Sequence, residues 1–291
     1  MAYPFITNGY MLPVLGQGAC FLGERPDSAA NEKAALARGF SLGMNLVDTA
    51  EIYGDGGSER LIGDMLRSGA VNRPDILLMT KVRPENAVPP ALNESCDASL
   101  RRLGTDYIDI YLLHWRDARV RLDDTVRGME GLVRGGKILR WGVSNFDAGD
   151  MEELFGIPGG DNCFLNQVLY HLGSRGIEYD LLPWLRSHNV AAVAYCPLAQ
   201  GGKLRRTSPE FLTNGTLGAL ADKYGASIFQ IMLAFVLRNN DICAIPKAAS
   251  AAHVAENAAA PALAAAITAG EWAALDGDYP PPAYKMHLDM D

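Results

Sequence analysis

Residues 107–115 read YIDIYLLHW, a nearly unbroken apolar run that ends in a histidine and a tryptophan. Runs of β-branched and aromatic residues such as this one are typical of strands buried on both faces of a parallel sheet. Two earlier apolar runs also end in a polar residue, at Asp48 and at Lys81, and Tyr53 follows shortly after Asp48. Because chemistry in α/β proteins collects at the carboxyl ends of strands, these residues and His114 are candidate site residues.

Strand-like apolar runs alternate with helix-like stretches along the whole chain. The predicted strands are residues 13–16, 44–48, 76–81, 107–114, 140–144, 164–168, 190–195 and 242–246. The predicted helices are residues 28–42, 58–69, 90–103, 123–136, 147–155, 178–188, 218–238 and 251–275, and Ser58 and Ser250 are expected N-caps. Eight strand-helix units predict an α/β fold, a (β/α)8 TIM barrel. Asn8-Gly9 between short apolar runs predicts an N-terminal β-hairpin before the barrel.

Chain length allows one or two domains, and we expect residues 1–291 to form a single barrel, which typically needs about 250 residues. An open, doubly wound sheet is the alternative fold. It would carry a Gly-x-Gly-x-x-Gly turn after an early strand, with an acidic residue about 20 positions on. The chain offers only Gly16-Gln17-Gly18, which leads into Ala19-Cys20-Phe21 and is too weak a match for that turn.

The composition favours small-molecule chemistry. The net charge is −8 without a long run of Lys or Arg, whereas nucleic acids and acidic membranes attract clustered positive charge. No run approaches the ~20 apolar residues of a membrane span, and the N-terminus lacks signal-peptide features, so we expect a cytoplasmic protein. The cysteines are widely spaced without metal-ligand spacing, and we expect free thiols at Cys20, Cys96, Cys163, Cys196 and Cys243.

Each candidate residue also has an ordinary structural role open to it. Asp48 could cap the segment after its strand, and Tyr53 could be a packed aromatic with its hydroxyl at the rim. His114 could be a hydrogen-bonded core histidine. Lys81 is harder to explain in this way, because a buried ammonium needs a nearby anion, and Asp48 is the expected partner. A carboxylate, a phenol, an amine and an imidazole can together form one tuned proton donor.

Five segments of the chain resemble the aldo-keto reductase family. They are residues 45–54 (NLVDTAEIYG), 79–82 (MTKV), 107–115 (YIDIYLLHW), 141–146 (WGVSNF) and 245–247 (IPK). The resemblance spans nearly the full chain, although the tail after about Asp276 is shorter than the C-terminal loop of many animal members. It implies a barrel that binds a nicotinamide cofactor across its carboxyl-terminal mouth without a Rossmann domain. It also implies the family's catalytic tetrad, which maps onto Asp48, Tyr53, Lys81 and His114.

The resemblance implies reduction of aldehydes or ketones to alcohols. Hydride delivery to the carbonyl carbon leaves a developing alkoxide, which needs a proton donor within hydrogen-bond reach. We expect Tyr53 to be that donor, with its pKa lowered by the ammonium of Lys81. Asp48 would keep Lys81 protonated and oriented, and His114 would donate a hydrogen bond that aims the carbonyl.

By the same resemblance, residues at the later strand ends hold the cofactor. The expected cofactor-binding residues are Gly18, Ser144, Asn145, Gln167, Tyr195, Pro197, Leu198, Lys247, His253, Glu256 and Asn257. Ser144, Asn145 and Gln167 match the family's contacts to the nicotinamide carboxamide. Tyr195 matches the aromatic residue on which the nicotinamide ring stacks.

Two further cofactor regions follow from the resemblance. Pro197 and Leu198 belong to a loop that resembles the one folded over the pyrophosphate, where backbone amides would bind phosphate. Lys247 matches a contact to the 2′-phosphate of NADPH. Ala248 stands where the family often has Ser or Thr, and His253 stands where it often has Arg. NADPH is therefore the expected cofactor, with NADH as the alternative.

The substrate pocket is expected to be open and apolar, lined by Cys20, Phe21, Trp115 and Phe146. Ala19 and Cys20 occupy positions where many family members have Thr and Trp, which removes a large aromatic wall. We therefore expect a small-molecule carbonyl substrate, either a small or aromatic aldehyde or a dicarbonyl such as methylglyoxal, bound by a monomer without a metal ion.

Two rival functions use the same residues. A Schiff-base aldolase would use Lys81 as a nucleophile, which needs a neutral lysine that Asp48 disfavours. A redox-sensing subunit would keep the cofactor and turn over slowly, because fold and site do not report a rate.

Overall fold

The computed structural model describes residues 4–7, 9–203, 212–213 and 215–290. The strands in these residues are β1 Pro4–Thr7, β2 Tyr10–Pro13, β3 Gln17–Gly18, β4 Leu46–Asp48, β5 Leu77–Val82, β6 Ile108–Leu113, β7 Ile138–Ser144, β8 Leu165–Leu169, β9 Ala191–Tyr195 and β10 Ile242–Ala244. β1 and β2 pair antiparallel with Thr7 opposite Tyr10, which leaves a two-residue turn and confirms the predicted hairpin. Asn8, which was expected in that turn, lies outside the described residues.

β3 to β10 form one parallel sheet in chain order. Leu15 and Ala244 form a parallel bridge between its two ends, and the N–H of Gly16 donates to the carbonyl of Ala244 at 2.8 Å. The sheet therefore closes on itself, and the predicted (β/α)8 barrel is confirmed. The first barrel strand is Gln17–Gly18 rather than the predicted residues 13–16, because Pro13 completes the hairpin and has no N–H for a central ladder.

Helices follow the barrel strands. Within the described residues they are α1 Ala29–Ser41, α2 Gly57–Arg67, α3 Ala91–Leu103, α4 Leu122–Arg134, α5 Ala148–Phe155, α6 Leu181–Ser187, α7 Gly215–Tyr224, α8 Ile228–Leu237, α9 Ala251–Ala266 and α10 Ala269–Asp278, with a short kinked turn at Ala199–Gly202. The predicted helix 218–238 is in fact α7 and α8, because Ser227 starts a new capping box with Gln230. The predicted helix 251–275 is divided in the same way by Thr268 and Glu271.

The two expected helix caps have different outcomes. Ser250 caps α9 as predicted, since its side chain accepts a hydrogen bond from the N–H of His253 at 3.3 Å. Ser58 is not a cap, because α2 begins one residue earlier. The Ser58 hydroxyl instead lies 2.6 Å from the carbonyls of both Ala19 and Leu22, so it ties α2 to the loop after β3.

Apolar side chains pack in two layers. Residues such as Leu46, Met79 and Ile110 fill the barrel interior, while a larger cluster lies between the strands and the surrounding helices. The hairpin covers the amino-terminal end of the barrel, where Leu12 is fully buried and the ring of Tyr10 contacts that of Phe164 edge-on at 5.6 Å. The carboxyl-terminal end is the mouth at which the candidate residues converge.

Among the described residues, no single helix is long and apolar enough to cross a membrane. The bent pairs α7 with α8 and α9 with α10 reach that length and composition only when each pair is counted together.

Candidate active site

Three candidate side chains lie at the same end of the barrel because their strands are parallel neighbours. Asp48 is the last residue of β4, Lys81 is the next-to-last residue of β5, and His114 follows directly after β6. The register pairs Asp48 with Met79 and Lys81 with Leu112, so Lys81 and His114 each lie two residues further toward the mouth than the partner of the preceding site residue. Tyr53 reaches them from the turn that follows β4.

Lys81 is the centre of this cluster. Its Nζ donates to Asp48 Oδ2 at 2.7 Å, to the carbonyl of Thr49 at 2.8 Å and to the hydroxyl of Tyr53 at 3.1 Å. The side chain of Lys81 is 0% exposed. Three donated hydrogen bonds use all three protons of an ammonium, so the geometry fits a charged lysine. Burial alone raises the pKa of Asp48 and lowers that of Lys81, and the attraction between the two charges opposes both shifts.

The pKa of Tyr53 differs in direction from the sequence expectation. Burial raises it well above the ordinary value of 10, and the negative charge of Asp48 raises it further. The net direction is therefore opposite to the expected lowering, because burial and the charge of Asp48 outweigh the ammonium of Lys81. The consequence is that Tyr53 stays protonated at neutral pH, with its oxygen already in contact with Lys81.

His114 is an uncharged group in this site. Burial, together with the positive charges of Lys81 and Arg83, lowers its pKa to about 2. Its ring lies 5.7 Å from the ring of Tyr53 and 4.8 Å from that of Trp115. Within the described residues its Nδ1 has no hydrogen-bond partner. A neutral imidazole keeps one N–H to donate, and a proton on Nε2 avoids burying an unpaired donor at Nδ1.

A second layer of polar residues joins the tetrad to the neighbouring strands. Tyr195 donates from its hydroxyl to Asn145 Oδ1 at 2.9 Å, and Asn145 Nδ2 donates to the carbonyl of His114 at 3.2 Å. Ser144 donates from its hydroxyl to the carbonyl of Gln167 at 2.8 Å. These four residues, expected at the cofactor, therefore form one connected group beside the tetrad.

Sequence reasoning missed one contact in this layer. Gln167 Nε2 donates to Asp48 Oδ1 at 2.9 Å, so Gln167 touches the tetrad as well as the strand ends beside it. The two residues are 119 positions apart in the sequence. No local pattern signals such a contact, and only the closed barrel brings β4 and β8 to face each other across its interior.

The remaining cofactor candidates lie around the closing seam of the barrel. Gly18 forms a bridge with Lys247, and a Cβ on Gly18 would lie 2.8 Å from the carbonyl oxygen of Ile245, so glycine is required for the close approach of the two segments. Lys247 is exposed and, within the described part of the chain, makes no ion pair. His253 and Glu256 are exposed on the first turns of α9. Asn257 is buried instead, at 6% exposure.

The loop after β9 has an unusual backbone. Cys196, Ala199 and Gln200 have φ angles of 48°, 49° and 50°, which are rare for residues with a side chain. Such conformations cost of order 1 kcal/mol or more each and cluster at ligand clamps. Pro197 is buried in this loop and Leu198 is half-buried.

The four expected substrate-pocket residues differ in exposure, and one of them lies away from the mouth. Cys20 and Trp115 are half-buried beside the tetrad, and Phe21 is 61% exposed with a φ of 64°. Burial raises the pKa of the Cys20 thiol to about 11, which keeps it unreactive at neutral pH. Phe146 is 0% exposed and packs in the layer between strands and helices, so its assignment to the pocket is corrected.

The comparisons with known proteins agree with this arrangement. A sequence model described as "Aldo/keto reductase family" matches residues 14–278. The chain therefore belongs to the aldo/keto reductase family, a class of oxidoreductases.

Two curated relatives narrow the comparison. The chain is 47% identical over 279 residues to methylglyoxal reductase YeaE of Escherichia coli, an alignment that covers 96% of this chain and 95% of the relative. It is 30% identical over 253 residues to a glyoxal reductase of Bacillus subtilis, covering 87% and 84% of the two chains.

Solved structures match the whole fold. An aldo-keto reductase from Klebsiella pneumoniae in complex with NADPH superposes with a TM-score of 0.93 at 44% identity, and the match covers 100% of both chains. A second crystal structure from Klebsiella pneumoniae, in complex with NADP and acetate, gives the same TM-score and identity.

Proposed function

We propose that this protein reduces small aldehydes and α-dicarbonyls to alcohols, with methylglyoxal and related compounds as the substrate class and Tyr53 as the proton donor. The cofactor is NADP(H). One observation carries the proposal: Lys81 Nζ bridges the carboxylate of Asp48 and the hydroxyl of Tyr53, at 2.7 Å and 3.1 Å. This geometry holds a protonated phenol at the mouth of the barrel, with a fully buried ammonium beside it that can stabilise the phenolate left after proton transfer.

NADPH, when bound, supplies the hydride that attacks the carbonyl carbon. The residues of the chain deal with the charge that develops on the carbonyl oxygen. Tyr53 donates its proton to that oxygen, and the adjacent ammonium of Lys81 stabilises the phenolate that remains. Asp48 keeps the ammonium charged by accepting one of its hydrogen bonds. The neutral imidazole of His114 donates a hydrogen bond to the same carbonyl oxygen and orients it toward Tyr53.

The residues around the mouth fit a dinucleotide with a 2′-phosphate. Lys247 offers an exposed ammonium near the start of α9, and the first turn of that helix contains no acidic residue. A helix N-terminus and a free cation together attract a phosphate. Tyr195, held by Asn145, presents an aromatic ring near the tetrad, and the strained loop at Cys196 is suited to clamp the rest of the cofactor.

The substrate class rests on two supports. The relatives described above are a methylglyoxal reductase and a glyoxal reductase, both named for small dicarbonyls. After β3 the chain presents a thiol at Cys20 and an exposed ring at Phe21, and Trp115 lies beside His114. An open, partly apolar mouth of this kind also accepts aromatic aldehydes, which makes them a useful second substrate in the test.

A Schiff-base mechanism is disfavoured by the same contacts. The nucleophile would be the free lone pair of a neutral Lys81, but its Nζ is engaged by three acceptors and is not accessible to solvent. The buried carboxylate of Asp48 at 2.7 Å favours the charged form.

The test has two steps on the purified protein. Titration with NADPH and with NADH, followed by quenching of protein fluorescence, gives the two affinities. Oxidation of NADPH is then followed by its absorbance in the presence of methylglyoxal or a nitrobenzaldehyde. We expect tighter NADPH than NADH binding and aldehyde-dependent oxidation. Tight binding without turnover would identify a sensor, and trapping of the aldehyde on Lys81 by borohydride would identify an aldolase.

A further inference from the structure

Gln167 is an expected cofactor contact that also contacts the tetrad. It lies in the middle of β8 and is 2% exposed. An amide nitrogen has two N–H donors. One donates to Asp48 Oδ1 at 2.9 Å, and the nitrogen also lies 3.9 Å from the sulfur of Met79, a weak acceptor. The donors of Gln167 therefore point into the barrel toward the tetrad.

The backbone of Gln167 is fixed independently of its side chain. Its carbonyl accepts hydrogen bonds from the Ser144 hydroxyl at 2.8 Å and from the N–H of Asn145 at 2.9 Å. The side chain thus starts from a rigid position opposite β4. Asp48 Oδ1 accepts a hydrogen bond from Gln167 Nε2 at 2.9 Å, and Lys81 Nζ lies 2.7 Å from both carboxylate oxygens. Gln167 therefore adds a donor from outside the ion pair to a carboxylate that must stay ionised.

We propose that Gln167 is a positioning residue for the Asp48–Lys81 pair, which holds the Asp48 carboxylate ionised and turned toward Lys81. This inference rests on the proposed function, because only a proton transfer assisted by Lys81 makes the charge of that pair matter to turnover. It is separate from the expected contact to the nicotinamide carboxamide, which would use the side-chain oxygen of Gln167 as acceptor. Removing the amide N–H takes away a charge-assisted hydrogen bond and favours protonation of Asp48.

The other groups that face Asp48 do not titrate in the range of an enzyme assay. Burial raises the pKa of Tyr53 well above 10 and that of the Cys20 thiol to about 11, and it also raises the pKa of the Cys243 thiol inside the barrel. Among the described residues, Lys81 is the charged group in contact with Asp48, and the two titrate together as one pair. A change in the acid limb of the pH profile therefore reports on this pair.

The first test is Gln167→Met, which keeps the length of the side chain and removes the donor. The acid limb of log(kcat/KM) for methylglyoxal with NADPH should move to higher pH by about one unit, the shift expected for one charge-assisted hydrogen bond. Lys247→Ala is the control, because Lys247 is an expected cofactor contact with no hydrogen bond or ion pair to Asp48 or Gln167 among the described residues. It should weaken NADPH binding, measured by fluorescence quenching, and leave the acid limb in place.

A second variant is expected to change the pH profile in the opposite direction. In Gln167→Glu, a protonated carboxyl can still donate to Asp48, whereas an ionised one repels it. Activity should be best at low pH and fall as pH rises, through a limb that the wild-type protein lacks. If both variants keep the wild-type profile, Gln167 is no positioning residue, whatever happens to NADPH affinity. A wild-type protein without turnover overturns the proposed function itself and this inference with it.

Discussion

Lys81 Nζ lies 2.7 Å from the carboxylate of Asp48, and the two side chains are 0% and 4% exposed. A buried pair of this kind contributes little net stability, because desolvation of both ions offsets their attraction. Its loss is nevertheless costly when only one partner is removed, since the other charge then stays buried without compensation. The pair therefore links the stability of the barrel to the chemistry of its mouth.

Asp48→Asn should lower the free energy of unfolding by about 3–5 kcal/mol, measured by urea denaturation, because it leaves the Lys81 ammonium unpaired in the barrel. The double variant Asp48→Asn with Lys81→Met should recover much of this loss while remaining inactive, because neither charge is then buried. Equal stability of the wild type and the single variant would mean that Lys81 is already neutral in the wild type.

Tyr53→Phe should lower kcat by at least ~100-fold, the lower range for lost acid catalysis, and leave NADPH affinity within a few-fold. Tyr111→Phe is the matched control, because within the described residues the buried hydroxyl of Tyr111 has no hydrogen-bond partner. Removing that hydroxyl should leave kcat unchanged and stability equal or slightly higher. A fully active Tyr53→Phe variant would exclude Tyr53 as the proton donor.

The sequence contains enough information for the barrel and for the meeting of the tetrad, because parallel strands place all their carboxyl ends at one mouth. The pattern of polar residues at strand ends cannot predict contacts or pKa shifts that depend on how the chain packs. The contact from Gln167 to Asp48 depends on closure of the barrel, and the raised pKa of Tyr53 depends on burial. Phe146 shows the same limit, because only the path of the chain after β7 directs its ring to the helix layer. The divided helices depend on caps at Ser227 and Thr268 that lie inside helix-compatible stretches.

Lys247→Ala should weaken NADPH binding about tenfold and NADH binding much less, because only NADPH has a 2′-phosphate to lose a charge-assisted contact. Fluorescence titration with both cofactors measures the two affinities. Lys33→Ala removes the same charge from α1, where Lys33 pairs with Asp64 at 3.0 Å, and should change neither affinity. An equal loss for both cofactors in Lys247→Ala would place Lys247 at some other part of the dinucleotide.

His114 is expected to make the folded protein less stable as pH falls. Burial lowers its pKa to about 2 in the folded protein, whereas the unfolded chain has an ordinary histidine value of about 6.5. Below pH 6.5 the unfolded chain therefore binds a proton at this histidine, whereas the folded protein does not. The free energy of unfolding falls as pH falls, by at most about 1.4 kcal/mol per pH unit. His114→Gln, which keeps a side-chain donor, removes this contribution.

The free energy of unfolding should therefore decrease less in His114→Gln than in the wild type between pH 6.5 and 4.5, by about 2 kcal/mol over that window. Urea denaturation at several pH values measures the two slopes. His188→Gln, a substitution of an exposed histidine after α6, controls for the loss of an imidazole as such. Parallel curves for His114→Gln and the wild type would mean that His114 takes up a proton in the folded protein as well. His114 would then donate its hydrogen bond to the substrate as a charged imidazolium. The proposed mechanism instead uses a neutral imidazole as this donor.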